Sequence, residues 1–158
     1  MNAAGIICEY NPFHSAHAYH IAETKRLLGE NSAVVCVMSG NFVQRGEPAM
    51  FEKHARAEAA VLCGADLVVE LPLPWAMAPA ERFALGGVAV LDALGVCKTL
   101  SFGSECGSAE ELAAVADCLA DPAADALIAA ELKKGITFAA ARENALRQLA
   151  GSPADLIT

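Results

Sequence analysis

Four short runs of this chain stand out by their apolar character: Ala3 to Cys8, Ala33 to Met38, Asp66 to Leu71 and Thr99 to Gly103. Three of them are almost continuously apolar, with none of the alternation a half-exposed strand carries. That predicts strands covered on both faces. Between them lie helical patterns over 15–28, 52–63 and 79–94, and two more follow at 108–120 and 123–149, the last broken near Gly135. Strand-helix alternation of this kind implies right-handed crossovers. The expectation is an α/β fold, a doubly wound parallel sheet with helices on both faces. The 158 residues suit one domain, 1–158, with a sizeable core.

Composition narrows the class. Hydrophobic residues make up 55% of the chain, too many for a disordered segment. The uncharged stretch Leu71 to Ala80 holds three prolines and is too short to span a bilayer. No basic start followed by an apolar run marks a signal peptide, so a soluble cytoplasmic protein away from the membrane is expected. None of the six cysteines sits at C-x-x-C spacing, which argues against a zinc ribbon or dithiol pair. Most lie in apolar strings and read as buried free thiols. The net charge of −8 is uneven: residues 1–56 are balanced, and the acidic excess falls entirely after them. Such a surface is poor for holding a polyanion broadly, so an anion site belongs in the first third.

In a doubly wound sheet ligands bind beyond the carboxyl ends of the strands. The loops there are Glu9 to His14, Ser39 to Pro48, Pro72 to Trp75 and Gly103 to Glu105. Pro12 ends the first strand sharply by restricting Asn11. A helix then opens near His14 or Ser15, offering free N–H donors and a positive dipole end to a phosphate. His14 and His17, three apart, project to one side of the first turn. Two imidazoles there suit hydrogen bonding to phosphate oxygens. The row His14, His17 and His20 also fits a transition metal or plain packing, and spacing leaves these alternatives open. In the second loop Asn41, Gln44 and Arg45 lie between Gly40 and Gly46, a donor-rich turn fit for a triphosphate or an acyl substrate, or a mobile polar turn. Lys53 and Arg56 either extend a cationic wall or form a solvated helix face. Trp75, between prolines, reads as a packing anchor.

The strings Gly-Ile-Ile-Cys-Glu-Tyr-Asn-Pro-Phe-His-Ser-Ala-His, Met-Ser-Gly-Asn-Phe-Val-Gln-Arg-Gly-Glu-Pro, Gly-Ala-Asp-Leu-Val-Val-Glu-Leu-Pro and Phe-Gly-Ser-Glu resemble, in order, those of the tRNA(Met) cytidine acetate ligase family. The resemblance is close over residues 3 to 105. It implies the nucleotidyltransferase superfamily with a His-x-Gly-His motif on a Rossmann-like core. Such enzymes use ATP, with Mg2+, to activate acetate as acetyl-adenylate, then acetylate N4 of the wobble cytidine of elongator tRNA(Met). By this resemblance the ATP site is lined by Ile7, Cys8, Glu9, Tyr10, Asn11, Pro12, Phe13, His14, Ser15, Ala16, His17, Ala18, Tyr19 and His20, with Gly103 beside the adenosine. His14 and His17 would be catalytic; Asn41, Gln44, Arg45 and Lys53 would touch phosphate or acetate. No resident metal is implied. The family motif reads His-Asn-Gly-His where this chain has Ser15 and Ala16, so a methyl stands where the nucleotide approaches. Family members continue past the equivalent of Thr158 with a Pro-Asn-Asn motif and a tRNA surface. The chain is therefore expected to lack the family's C-terminal region. Two other readings stand beside the ligase: an adenylyl- or cytidylyltransferase for another small substrate, and a non-catalytic nucleotide-binding domain.

Overall fold

A computed structural model describes residues 2–29 and 31–150. The first strand, β1 (Asn2–Cys8), leads into helix α1 (Ser15–Leu28) and strand β2 (Ser32–Ser39). Helix α2 (Lys53–Leu62), strand β3 (Leu67–Leu71), a single turn α3 (Leu73–Ala76), helix α4 (Ala80–Ala93) and strand β4 (Cys97–Leu100) follow. All pairings are parallel, in the order β3-β2-β1-β4, so the connection reverses direction across β1. The expected doubly wound Rossmann-like α/β sheet is what forms.

The apolar strands divide their side chains between two layers. Ile6, Val34, Cys36 and Met38 pack on one face with Ile21 of α1 and Ala60 of α2. Val35, Val37 and Leu71 pack on the other with Ala76 of α3 and with Phe83 and Leu91 of α4. Strand β2 is buried from Ala33 onward because both layers cover it. Helix α4 lies tight on β1. A Cβ at Gly5 would fall 2.4 Å from Leu91 Cδ1, and one at Gly87 would fall 2.6 Å from Ile7 Cγ2. Glycine at these two positions lets the helix approach.

The chain divides into two compact units, the first ending at Phe102 and the second beginning at Gly103. The second contains α5 (Ala109–Ala120), α6 (Pro122–Leu132) and α7 (Phe138–Ala150). Ser108 Oγ accepts the Glu111 N–H to start α5, and Asp121 Oδ1 accepts the Ala123 N–H to start α6 with Pro122 next in line. Glu131 of α6 is buried, and its carboxylate accepts from Lys134 Nζ, Asn144 Nδ2 and Gln148 Nε2.

Three sequence expectations are corrected. The stretch Pro72 to Trp75 is a helical turn, because Pro74 occupies a first-turn position that needs no N–H partner. Strand β4 ends at Leu100 rather than Gly103. Beyond the Ser101 N–H bond to Gly5 O (2.9 Å), the chain leaves the ladder. Of the six free thiols Cys36 is buried, but Cys63 is exposed at the end of α2. The break near Gly135 separates α6 from α7 as expected, with φ 78° at that glycine. Trp75 does anchor α4, since its Cβ lies 2.5 Å from where Gly86 would carry one.

Candidate functional site

Strand β1 lies where the strand order reverses, and the loops at the carboxyl end of such a strand are where sheets of this kind take ligands. Its last residue is Cys8. Tyr10 then adopts a left-handed conformation (φ 50°), costly for a bulky residue, and the Asn11–Pro12 peptide is cis. Packing holds Tyr10 there. Its ring is buried, its hydroxyl lies 3.3 Å from Cys36 Sγ, and it meets Phe13 edge-on at 4.9 Å and His17 at 4.8 Å. Burial pushes the Cys8 thiol and the Tyr10 phenol well up, so both are neutral at physiological pH.

This aromatic cluster sets the start of α1. His14, extended at φ −145° and ψ 177°, is the residue before the helix. Its ring stacks on that of His17 with centroids 3.8 Å apart and planes 28° apart. The His14 N–H donates to His17 Nδ1 at 3.2 Å. With Nδ1 accepting, neutral His17 carries its proton on Nε2 as a free donor. Burial first, then the charges of His14 and His20, lowers the His17 pKa and favours that neutral form. Ser15 and Ala16 are exposed, their N–H groups have no intrahelical acceptor, and no acidic residue sits in this turn. The result is an anion-accepting helix start with two imidazoles over it.

His20 is engaged elsewhere. Its Nε2 lies 2.9 Å from Ser101 Oγ, which lies 2.7 Å from Thr24 Oγ1; Thr24 in turn donates to the His20 carbonyl at 2.8 Å. Proton accounting makes His20 Nε2 the donor to Ser101 and Ser101 the donor to Thr24. This chain of bonds ties the end of β4 to α1. Burial lowers the His20 pKa as well.

The loop between β2 and α2 is tied to the first loop by backbone donors. Gln44 N–H donates to Glu9 Oε1 at 2.6 Å, and Met50 N–H to Asn11 Oδ1 at 2.7 Å. Lys53 N–H donates to Asn41 Oδ1 at 3.1 Å, and Lys53 Nζ pairs with Glu70 at 2.6 Å. A bridge between Phe42 and Pro48 closes the loop tip. There Arg45 is exposed and left-handed (φ 67°), with no partner for its guanidinium among the described residues. Arg56 is not a solvated or wall-forming cation. It is 2% exposed and donates to the carbonyls of Glu9, Gly40 and Phe51.

The fourteen residues from Ile7 to His20 thus do different things. Ile7 and Cys8 pack, Glu9 and Asn11 tie loops, and Tyr10 and Phe13 wall the helix start. Ser15, Ala16, Tyr19 and the His14–His17 pair face outward to varying degrees, and Ala18 continues the helix. Gly103 opens the second unit, exposed, with nothing within 4 Å of a Cβ placed there. Among the described residues no cluster of three or more His, Cys, Asp or Glu side chains is placed to hold a metal. No described helix is long and apolar enough to cross a membrane. Sequence reasoning missed the clamp by Arg56 and the bonds through Thr24 and Ser101. The signal for Arg56 was its phase: it shares a face with Ala60, four residues on, which is fully buried.

The profile of the HIGH Nucleotidyl Transferase family matches residues 1–157. A tRNA(Met) cytidine acetate ligase of Caldanaerobacter subterraneus is 50% identical over 153 residues, covering 96% of this chain and 38% of that protein. One from Acetivibrio thermocellus is 47% identical over 150 residues, covering 94% and 36%. The crystal structure of Thermotoga maritima TmcAL bound with alpha-thio ATP superposes with a TM-score of 0.89 at 42% identity, covering 99% of this chain and 39% of that one. The chain spans little more than a third of the relatives it matches. With this motif, sheet and helix start, the chain belongs to the HIGH nucleotidyltransferase family.

Proposed function

We propose that this chain binds ATP at the start of α1 and is the adenylating part of a tRNA(Met) cytidine acetate ligase. The observation that carries the reading is the stacked His14–His17 pair, with a free Nε2 donor on neutral His17, at the exposed N-terminus of α1. The relatives' names and the ATP analogue in the Thermotoga structure's description support it. An acetate oxygen attacks the α-phosphorus, the bond to pyrophosphate breaks, and acetyl-adenylate forms. N4 of the wobble cytidine of elongator tRNA(Met) then attacks the acetyl carbon, and AMP leaves. Through this the chain's own contribution is electrostatic. His14, His17 and the Ser15 and Ala16 N–H groups meet charge growing on phosphate oxygens without a covalent step. Gln44 and Arg45 supply donors to phosphate or acetate from the facing loop. Asn41 and Lys53, already bonded, shape that loop's base. Magnesium accompanying the triphosphate would offset its charge. A cytoplasmic location suits a tRNA substrate.

Titration calorimetry with ATP and magnesium tests the first half. Saturable one-to-one binding is expected, and a folded chain that takes up no ATP overturns the reading. Acetate is tested by pyrophosphate release after adding the remaining segment of the Caldanaerobacter relative. Release should depend on acetate; indifference to acetate removes the ligase assignment and leaves another adenylyl transfer.

A further inference from the structure

We propose that Arg56 is a positioning residue, whose buried guanidinium fixes the β1–α1 loop against the β2–α2 loop and so sets where the His14–His17 pair stands. Strands β1 and β2 pair as far as Cys8 and Met38. Glu9 and Gly40 are the first residues after each strand, where the chains part into loops and their carbonyls lose ladder partners. Unpaired carbonyls in a buried setting are costly. Arg56 supplies both, and its Nε takes the Phe51 carbonyl at 3.0 Å just ahead of α2. A planar guanidinium holds three acceptors in one fixed geometry, which an ammonium on a flexible stem does not. The grip on Glu9 falls immediately before the left-handed Tyr10, the residue that turns the chain toward α1. Strained conformations of this kind persist only where their surroundings over-determine them. Two lighter bonds flank the clamp, Gln44 N–H to Glu9 and Met50 N–H to Asn11. They report its state without any ligand.

The test is Arg56→Lys in the full chain, with Val34→Ala as a control that weakens the same buried core without touching either loop. Amide hydrogen exchange on the ligand-free protein is the first readout. In Arg56→Lys the Gln44 and Met50 amides should exchange about tenfold faster, as local opening allows, while Ile6 and Val35 stay protected. In Val34→Ala, Gln44 and Met50 should exchange no faster than the rest. The second readout rests on the nucleotide reading: at a temperature where both variants are folded, Arg56→Lys should weaken ATP binding about tenfold, the scale of one charged hydrogen bond. Val34→Ala should bind as the unaltered chain does. Unchanged exchange at Gln44 and Met50 in Arg56→Lys overturns the proposal, as does full ATP affinity in that variant. If the unaltered chain fails to bind ATP, the nucleotide reading falls, and the exchange result alone decides the role of Arg56.

Discussion

Among the described residues each unit of this protein buries one charged side chain, and the two are used differently. In the first, Arg56 of α2 donates to three backbone carbonyls, one on the β1–α1 loop and one at each end of the β2–α2 loop. In the second, Glu131 of α6 accepts from Lys134, in the turn after its helix, and from two side chains of α7. Hydrogen bonds from Lys134, then Asn144 and Gln148, hold the Glu131 carboxyl below its usual range. One charge organises loops that have no regular structure of their own. The other staples two helices that are already formed. A buried charge costs desolvation in either place, so what its partners do decides what it is for.

Removing each charge should break the symmetry. Arg56→Met leaves the buried Gly40 carbonyl and the part-buried Glu9 and Phe51 carbonyls without this donor, and is expected to cost about 1–3 kcal/mol, the scale of a buried polar group left unpaired. Urea unfolding would measure it, and a loss below about 1 kcal/mol would mean that water replaces the guanidinium easily. Glu131→Ala should lower the unfolding midpoint by less, because Lys134 is largely exposed and returns to water. It should leave ATP affinity unchanged, whereas the Arg56 variants should not.

A smaller effect separates strain from use within the β2–α2 loop. Arg45→Gly removes a side chain from a left-handed position and should stabilise the chain by about 1 kcal/mol. The same substitution should weaken ATP or acetate binding by removing a free guanidinium from the loop. A variant that is more stable and binds as well as before would make Arg45 an incidental surface residue.

The smallest expected effect is on pH. His17 and His20 both have pKa values lowered from 6.5 in the folded chain, chiefly by burial. Above pH 6.5 neither state holds the proton and their contribution is fully present. As pH falls below 6.5 the unfolded chain takes up protons first, so stability falls through the folded values. Unfolding midpoints between pH 7.5 and 5.5 should show this decline, and His17→Gln with His20→Gln should flatten it.

The sequence made much of this legible, for reasons visible in particular residues. The continuous apolar run Ala33 to Met38 reads as a strand covered on both faces and is one, whereas Asp66 to Leu71, read the same way, forms an edge strand with Leu67 exposed. The first turn of α1 followed from Pro12 and the histidine spacing. What stayed hidden were contacts made by polar side chains across long separations. Ser101 and Thr24 are 77 positions apart, and no local pattern announces their bond. Arg56 sits in an alanine-rich helix whose charge reads as solvated until its phase with Ala60 is noticed. Prolines 72 and 74 read as loop although Pro72 immediately precedes a turn of helix and Pro74 lies in its first turn. Ala16 is exposed in the first turn, so Ala16→Gly is the natural companion to any binding test of the departure from the family motif.

On the proposed function, nucleotide phosphates meet His14, His17 and the free N–H groups of Ser15 and Ala16. The most direct measurement is a nitrogen-15 NMR titration of the labelled chain with ATP and magnesium, following backbone amides and imidazole nitrogens together. Saturable shifts are expected for the Ser15 and Ala16 amides and for His17 Nε2, with His20 Nε2 and the amides of α7 little changed, and these shifts should be lost in His17→Ala. Saturable binding that leaves Ser15, Ala16 and His17 unmoved, or no binding by the folded chain, would contradict the proposed function.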